Sequence, residues 1–230
     1  MAELGTINLF SDANLTHYYR FEGNSNDSKG ANNGTDTDIT YSTANGKYGQ
    51  GAGFNSTTSK IAIGAKILPV GAKSISCWFK SASTTNFHTI INENDISSAK
   101  SGTGIYTAIT SGVMRFIVTY ASGGNFLVNL TGLVNVCDGN LHHIVCTWDG
   151  STTANKAKIY VDNTLDVQGT ATNTESNTPS DNCMIGRGST TADYYLNGAT
   201  DDLAVFSREL TAAEINTLFV AGSSSFFLMF

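Results

Sequence analysis

Apolar and polar residues alternate with a period of two along much of this chain, and clusters of Gly, Ser, Asn and Asp interrupt the alternation every few residues. That pattern predicts half-buried β-strands joined by turns, because successive side chains of a strand point to opposite faces. The clearest stretch runs from Asp138-Gly-Asn-Leu-His-His-Ile-Val-Cys-Thr-Trp-Asp-Gly150 into Lys158-Ile-Tyr-Val-Asp-Asn-Thr-Leu165. It reads as a polar turn, an apolar strand, an Asp149-Gly150 turn and a second strand closing on Asp162-Asn163, since Asn, Asp and Gly supply the positive φ of tight turns. Residues 15–21 read as a strand that breaks into a long turn-forming segment over 22–34. Further short strands are expected near 52–55, 60–63, 75–80, 87–91, 105–109, 113–120, 126–130, 183–186 and 199–206.

One helix interrupts the β pattern. Thr211-Ala-Ala-Glu214 is a capping box, Leu210 and Ile215 can form a hydrophobic staple, and Ile215, Leu218 and Phe219 share a face. The helix is therefore expected to lie against a sheet. Repeats of solenoid or propeller length are absent.

At 230 residues with 40% apolar content, the chain suits one all-β domain with a two-sheet core. Its 14% charged residues fall well below the usual quarter, which implies a surface of Ser, Thr, Asn and Gly such as extracellular and virion proteins often carry. A net charge of −6 with thirteen scattered Lys and Arg disfavours nucleic-acid binding. No segment reaches bilayer-spanning length, and no signal peptide is visible at Met-Ala-Glu-Leu-Gly-Thr. The expected location is a virion surface or the extracellular face of a cell. Cys77, Cys137, Cys146 and Cys183 lack C-x-x-C spacing and read as buried free thiols rather than a zinc site or a disulfide framework.

Five ordered segments carry a family resemblance. His17-Tyr-Tyr-Arg-Phe-Glu-Gly-Asn-Ser-Asn-Asp-Ser-Lys-Gly30, Gly46-Lys-Tyr-Gly-Gln-Gly-Ala-Gly-Phe54, Ser74-Ile-Ser-Cys-Trp-Phe-Lys80, the Asp138–Leu165 stretch, and Met184-Ile-Gly-Arg187 with Tyr195 through Glu214 resemble laminin-G-like domains of the concanavalin A-like superfamily. Arg20 and Glu22 depart from the family's usual Pro and Asp. The resemblance implies an all-β fold, a two-sheet antiparallel jelly-roll sandwich with one short C-terminal helix. Its expected limits are a jelly roll over 15–222, an N-terminal arm over 1–14 and an apolar tail over 223–230. Such sandwiches serve as lectins, adhesion modules, virion parts and glycanases, so the fold alone does not select a function.

Candidate sites follow from both sources. By period-two parity Asp201 is expected on the face of Leu203 and Val205, where a carboxylate must be paired or bound to a cation. The resemblance implies a structural calcium on Asp27 and Asp201, with Glu22 and loop carbonyls, in keeping with calcium's preference for oxygen. The alternative is that Asp27 caps its own turn and Asp201 hydrogen-bonds the loop backbone. Trp78 alternates away from Ile75, Cys77 and Phe79 and, with Tyr106 and Tyr120, is a candidate for stacking on a sugar ring. The stretch Glu93-Asn-Asp-Ile-Ser97 is similar to the E-x-D-x-E of concanavalin A-like glucanases, but Ser97 stands in place of the second glutamate, and a glycosidase would need another acid brought near Glu93. His17, His88, His142 and His143 fit no metal motif. The tail Phe226-Phe227-Leu228-Met229-Phe230 is expected to dock on other chains of an assembly. The expected function is a non-catalytic glycan-binding or structural decoration and adhesion module. The alternatives are a glycoside hydrolase and an assembly protein with no small ligand.

Overall fold

The computed structural model describes residues 9–85, 87–93, 102–107, 111–119, 126–175, 182–188 and 194–220. After a 3-10 turn at Leu9–Ser11 the strands are β1 (Leu15–Tyr19), β2 (Gly34–Thr37), β3 (Thr40–Ser42), β4 (Gly51–Asn55), β5 (Lys60–Ile63), β6 (Lys73–Lys80), β7 (Thr89–Asn92) and β8 (Gly102–Thr107). There follow β9 (Val113–Thr119), β10 (Phe126–Asn135), β11 (Leu141–Trp148), β12 (Ala157–Val161), β13 (Thr164–Gly169), β14 (Met184–Ile185), β15 (Asn197–Phe206) and the helix α1 (Ala212–Val220).

Two antiparallel sheets pack as a jelly-roll sandwich. One has the order β13-β12-β11-β6-β15-β4-β3, with β1 also pairing β15, and the other β10-β9-β8-β7-β14-β5-β2. Between them lies the main core, with Ile75, Cys77 and Phe79 of β6 facing Ile105, Phe116 and Val118. Strand alternation produces this directly: the odd-numbered residues of β6 enter the core, and Ser74, Ser76, Trp78 and Lys80 face the other way. All four cysteines are buried and free. The expected β12–β13 turn is present, with positive φ at both Asp162 and Asn163 (49° and 65°). The short strands β2 and β3 fall in and beside turn-rich sequence and were not expected.

A second cluster covers the outer face of the first sheet. Leu15, Tyr18, Val145, Tyr160, Ala204 and Phe206 meet Leu210 and Ile215, and Leu9 joins them. The capping box forms as read: the Glu214 N–H donates to Thr211 Oγ1 (3.3 Å) and the Thr211 N–H to Glu214 Oε2 (2.8 Å). Arg208 fixes the approach of α1 by bonding Glu214 Oε2 (2.9 Å) and Asp12 Oδ2 (2.9 Å). The helix therefore roofs part of the sheet's outer face.

Candidate functional site

Strand β15 changes partners midway, and this decides where Asp201 points. Residues 197–200 pair with β4, whereas 203–206 pair with β1, and the register against β6 slips between Asp201 and Ala204. Asp202 occupies the break with φ 47°, so one extra residue forms a bulge. A one-residue slip reverses face. Asp201 consequently lies opposite Trp78 on the outer face, not beside Leu203 and Val205 in the core as parity alone predicted. It is nonetheless fully buried, because the loop before β4 closes over it: Lys47 N–H donates to Asp201 Oδ2 at 2.7 Å and Tyr48 N–H at 3.3 Å. Burial pushes its pKa up to about 7 against those N–H bonds, and the charge of Glu22 adds to the rise. Asp202 is raised in the same direction by burial and by Asp201, while Tyr18 donates its hydroxyl to it at 2.5 Å.

Asp27 is held elsewhere and differently. Its Oδ1 accepts the N–H groups of Tyr18 (3.1 Å), Lys29 (3.2 Å) and Gly30 (2.9 Å), and its Oδ2 that of Asn32 (3.3 Å) with His17 Nδ1 at 2.7 Å. Burial alone would raise its pKa, but the His17 bond and these N–H bonds outweigh it and bring it to about 2. This is the turn-capping role. Glu22 accepts the Gln50 N–H at 3.1 Å. The expected calcium set therefore does not fit: Asp27 has its oxygens occupied by donors, and the loop facing Asp201 and Glu22 presents N–H groups, where calcium needs oxygens. Among the described residues no three His, Cys, Asp or Glu side chains gather in a way that could hold a metal ion.

The expected stacking face is likewise covered. Trp78 does project outward, but only 3% of it is exposed, because Phe219 of α1 stacks on it at 5.8 Å, Tyr48 meets it edge-on at 5.9 Å and Lys47 Nζ lies 4.5 Å over its ring. Beneath the same roof His143 sits 5.0 Å from Trp78, with its pKa lowered to about 4 by burial. Tyr106 is fully buried with its hydroxyl on Asn92 Oδ1 at 2.7 Å, its ring folded over Gly104, where a Cβ would stand 2.0 Å from the phenol oxygen. Tyr120 and the tail Phe226–Phe230 lie outside the described residues.

A second acid does approach Glu93, and the sequence reading missed it. Glu175 comes from the Thr/Asn-rich segment after β13, and between the two stands Lys73, whose Nζ bonds Glu175 Oε2 at 2.7 Å and Thr103 Oγ1 at 2.8 Å. Glu93 Oε1 accepts the N–H groups of Leu68 (2.8 Å) and Ile67. Its pKa is pushed up to about 7 by burial, against those bonds and the charge of Lys73. Glu93 Oε2 and Glu175 Oε1 have no hydrogen-bond partner among the described residues. Side-chain exposure is 1% for both Lys73 and Glu175, and Glu93 is 0% exposed. A glycosidase needs its two carboxyl groups separated by room for a sugar and a water. Here an ammonium ion is clamped beside them inside the core.

An open groove lies instead at the far end of β6. It has a volume of about 370 Å³ and is lined by Asn45, Lys80, Ser81, Ser83, Asn197 and Phe54, among others. Gly198 lets β15 approach closely there, since a Cβ on it would meet the Lys80 carbonyl oxygen at 1.9 Å. Ser81 Oγ donates to the Asn197 carbonyl at 2.7 Å and the Gly139 N–H to the Ser81 carbonyl at 2.8 Å, so three separate segments are tied into one rim. Asn197 is exposed, and its side-chain amide makes no hydrogen bond among the described residues. Sequence parity places Lys80 outward, but nothing local brings Asn45 and Asn197 beside it.

Comparison with known proteins adds a family and a set of folds. The family model described as the concanavalin A-like lectin/glucanases superfamily matches residues 55–216. A search of curated proteins found no match. Among solved structures, domain 4 of AbnA, a GH43 extracellular arabinanase from Geobacillus stearothermophilus solved with arabinotriose, superposes with a TM-score of 0.69 at 19% identity, covering 89% of this chain and 97% of that one. The receptor-binding domains of botulinum neurotoxins D and G give TM-scores of 0.62 and 0.65, each at 16% identity over 90% of this chain. The chain spans about half the length of those toxin structures, 52% and 51%. At these identities the likeness is one of fold.

Proposed function

Because the chain belongs to the concanavalin A-like lectin/glucanases superfamily, we propose that it is a non-catalytic glycan-binding module, displayed on a virion or cell surface, that holds its ligand in the groove beside Lys80. The observation that carries this reading is the lining: the side chains of Asn45, Ser83 and Asn197 are neutral hydrogen-bonding groups set around a shallow open cleft. Sugar hydroxyls ask for such partners, each able to donate and accept. The superposed arabinanase domain was solved with a bound oligosaccharide, which lends support by analogy of fold. The sealed Lys73–Glu175 pair beside Glu93 supports the absence of hydrolysis. A sparsely charged surface suits display outside the cell.

The test is binding of a panel of plant and bacterial oligosaccharides by calorimetry. Binding by wild type that Asn45→Ala and Asn197→Ala each weaken about five-fold or more, with unchanged thermal stability, is the expected result. Binding that both substitutions leave untouched would move the site elsewhere, and release of reducing ends from any of the glycans would overturn the non-catalytic assignment.

A further inference from the structure

We infer that the groove selects sugars carrying a negative charge, an inference that rests on the glycan-binding reading above. The chain is acidic overall, at −6, yet among the described residues no carboxylate lines this groove, and the one charged lining residue among them is Lys80. That ammonium group uses one N–H on the Ala44 carbonyl at 3.2 Å and has no other partner among the described residues. Two of its three donors remain for a ligand. Asp138, beside the lining Gly139, is turned to its own turn: Oδ1 takes the Asn140 N–H at 2.8 Å and lies 3.0 Å from His142 Nε2, and Oδ2 takes the Asn140 amide at 3.0 Å. His142 in turn lies 2.7 Å from Asp162, and Asp201, two positions from Ala199 on β15, has its Oδ2 on the Lys47 and Tyr48 N–H groups. Asn45 and Asn197 add their amides to the same lining.

A lysine, unlike an arginine, offers a point charge without a planar fork, so it recognises a carboxylate or a sulfate alike. Both are found on sugars as uronates and sulfate esters. The experiment therefore compares three oligosaccharide sets of equal length, one neutral, one uronate-bearing and one sulfated, with wild type, Lys80→Gln and Lys80→Glu. The charged sets are expected to bind more tightly than the neutral one. Lys80→Gln is expected to cost about two- to five-fold on the charged sets at 50 mM salt and less at 500 mM, as suits an exposed ion pair, and a smaller factor that salt does not change on the neutral set, since the glutamine amide still donates to hydroxyls. Lys80→Glu should cost more on the charged sets. Equal affinity for neutral and charged sugars, unmoved by either substitution, would overturn charge selection while leaving glycan binding intact. Failure of all three sets to bind would overturn the glycan-binding reading itself. Preference for uronate over sulfate, or the reverse, would name the source of the charge and support the inference either way.

Discussion

Lys73 and Lys80 stand at the first and last positions of one eight-residue strand and occupy opposite environments. A strand of even length sends its two end residues to opposite faces. Lys73 accordingly enters the space between the sheets, where it is held by Glu175 and Thr103, and Lys80 faces outward at the rim of a groove with one hydrogen bond. The same side chain thus serves as an internal counter-ion at one end and as a free donor at the other. In the interior the charge is committed, because an ammonium without a partner there would cost several kcal/mol. At the rim water screens it, so the charge contributes little to folding and remains available for a ligand.

The strongest way to break this contrast is to remove the interior charge. Lys73→Met leaves Glu175 and Glu93 buried without their cation and is expected to destabilise the protein by about 3–5 kcal/mol in urea unfolding. Lys73→Met combined with Glu175→Leu should recover most of the loss. A double variant no better than the single one would mean that Lys73 acts through packing and not through its charge.

The next largest effect concerns Glu93 and has a definite sign. Its pKa is raised on folding to about 7, so the folded state keeps a proton that the unfolded state releases. Stability from this group therefore falls as pH rises from the ordinary glutamate range through about 7. Asp201, also raised to about 7, acts in the same direction. Wild type should be more stable at pH 5 than at pH 8, and Glu93→Gln should flatten part of that slope, gaining on the order of 1–2 kcal/mol at pH 8 and nothing at pH 4. Equal slopes in the two proteins would show that Glu93 is paired in a way that leaves its proton affinity normal.

At the outer end the expected changes are small. Lys80→Ala should alter stability by less than about 0.5 kcal/mol, and a loss approaching that of Lys73→Met would abolish the distinction between the two ends. The last test concerns whether the outer face holds a bound cation after all. Chelation should leave the melting temperature unchanged in wild type and in Asp201→Asn, because N–H groups already occupy the carboxylates. A calcium-dependent rise present in wild type and lost in Asp201→Asn would restore a cation at that place through ligand linkage.

Much of this molecule was legible in local sequence. The period-two runs located β6, β9, β11 and β15 to within a few residues, and Asp162-Asn163 marked the β12–β13 turn. The capping box around Thr211 and Glu214 placed the helix. The sites were less legible. Alternation along β6 turns Trp78 outward, but nothing local shows that Phe219 and Tyr48 close over it. Asp201 was sent to the wrong face because parity counting cannot see a bulge whose cause is the exchange of neighbouring strands along β15.

The sequence by itself determined most of the strands, though not β2 and β3, the helix and the alternation within each unbroken strand, because these follow from preferences and contacts of residues a few positions apart, and its ordered motifs carried the family. Only the tertiary structure decided which outward faces stay open, which charges are buried and which residues meet. Glu175 reaching Lys73, and Asn45 and Asn197 lining one groove, are products of strand order and packing between distant segments. A strand's period says on which side a residue lies; what covers that side is set by the rest of the chain.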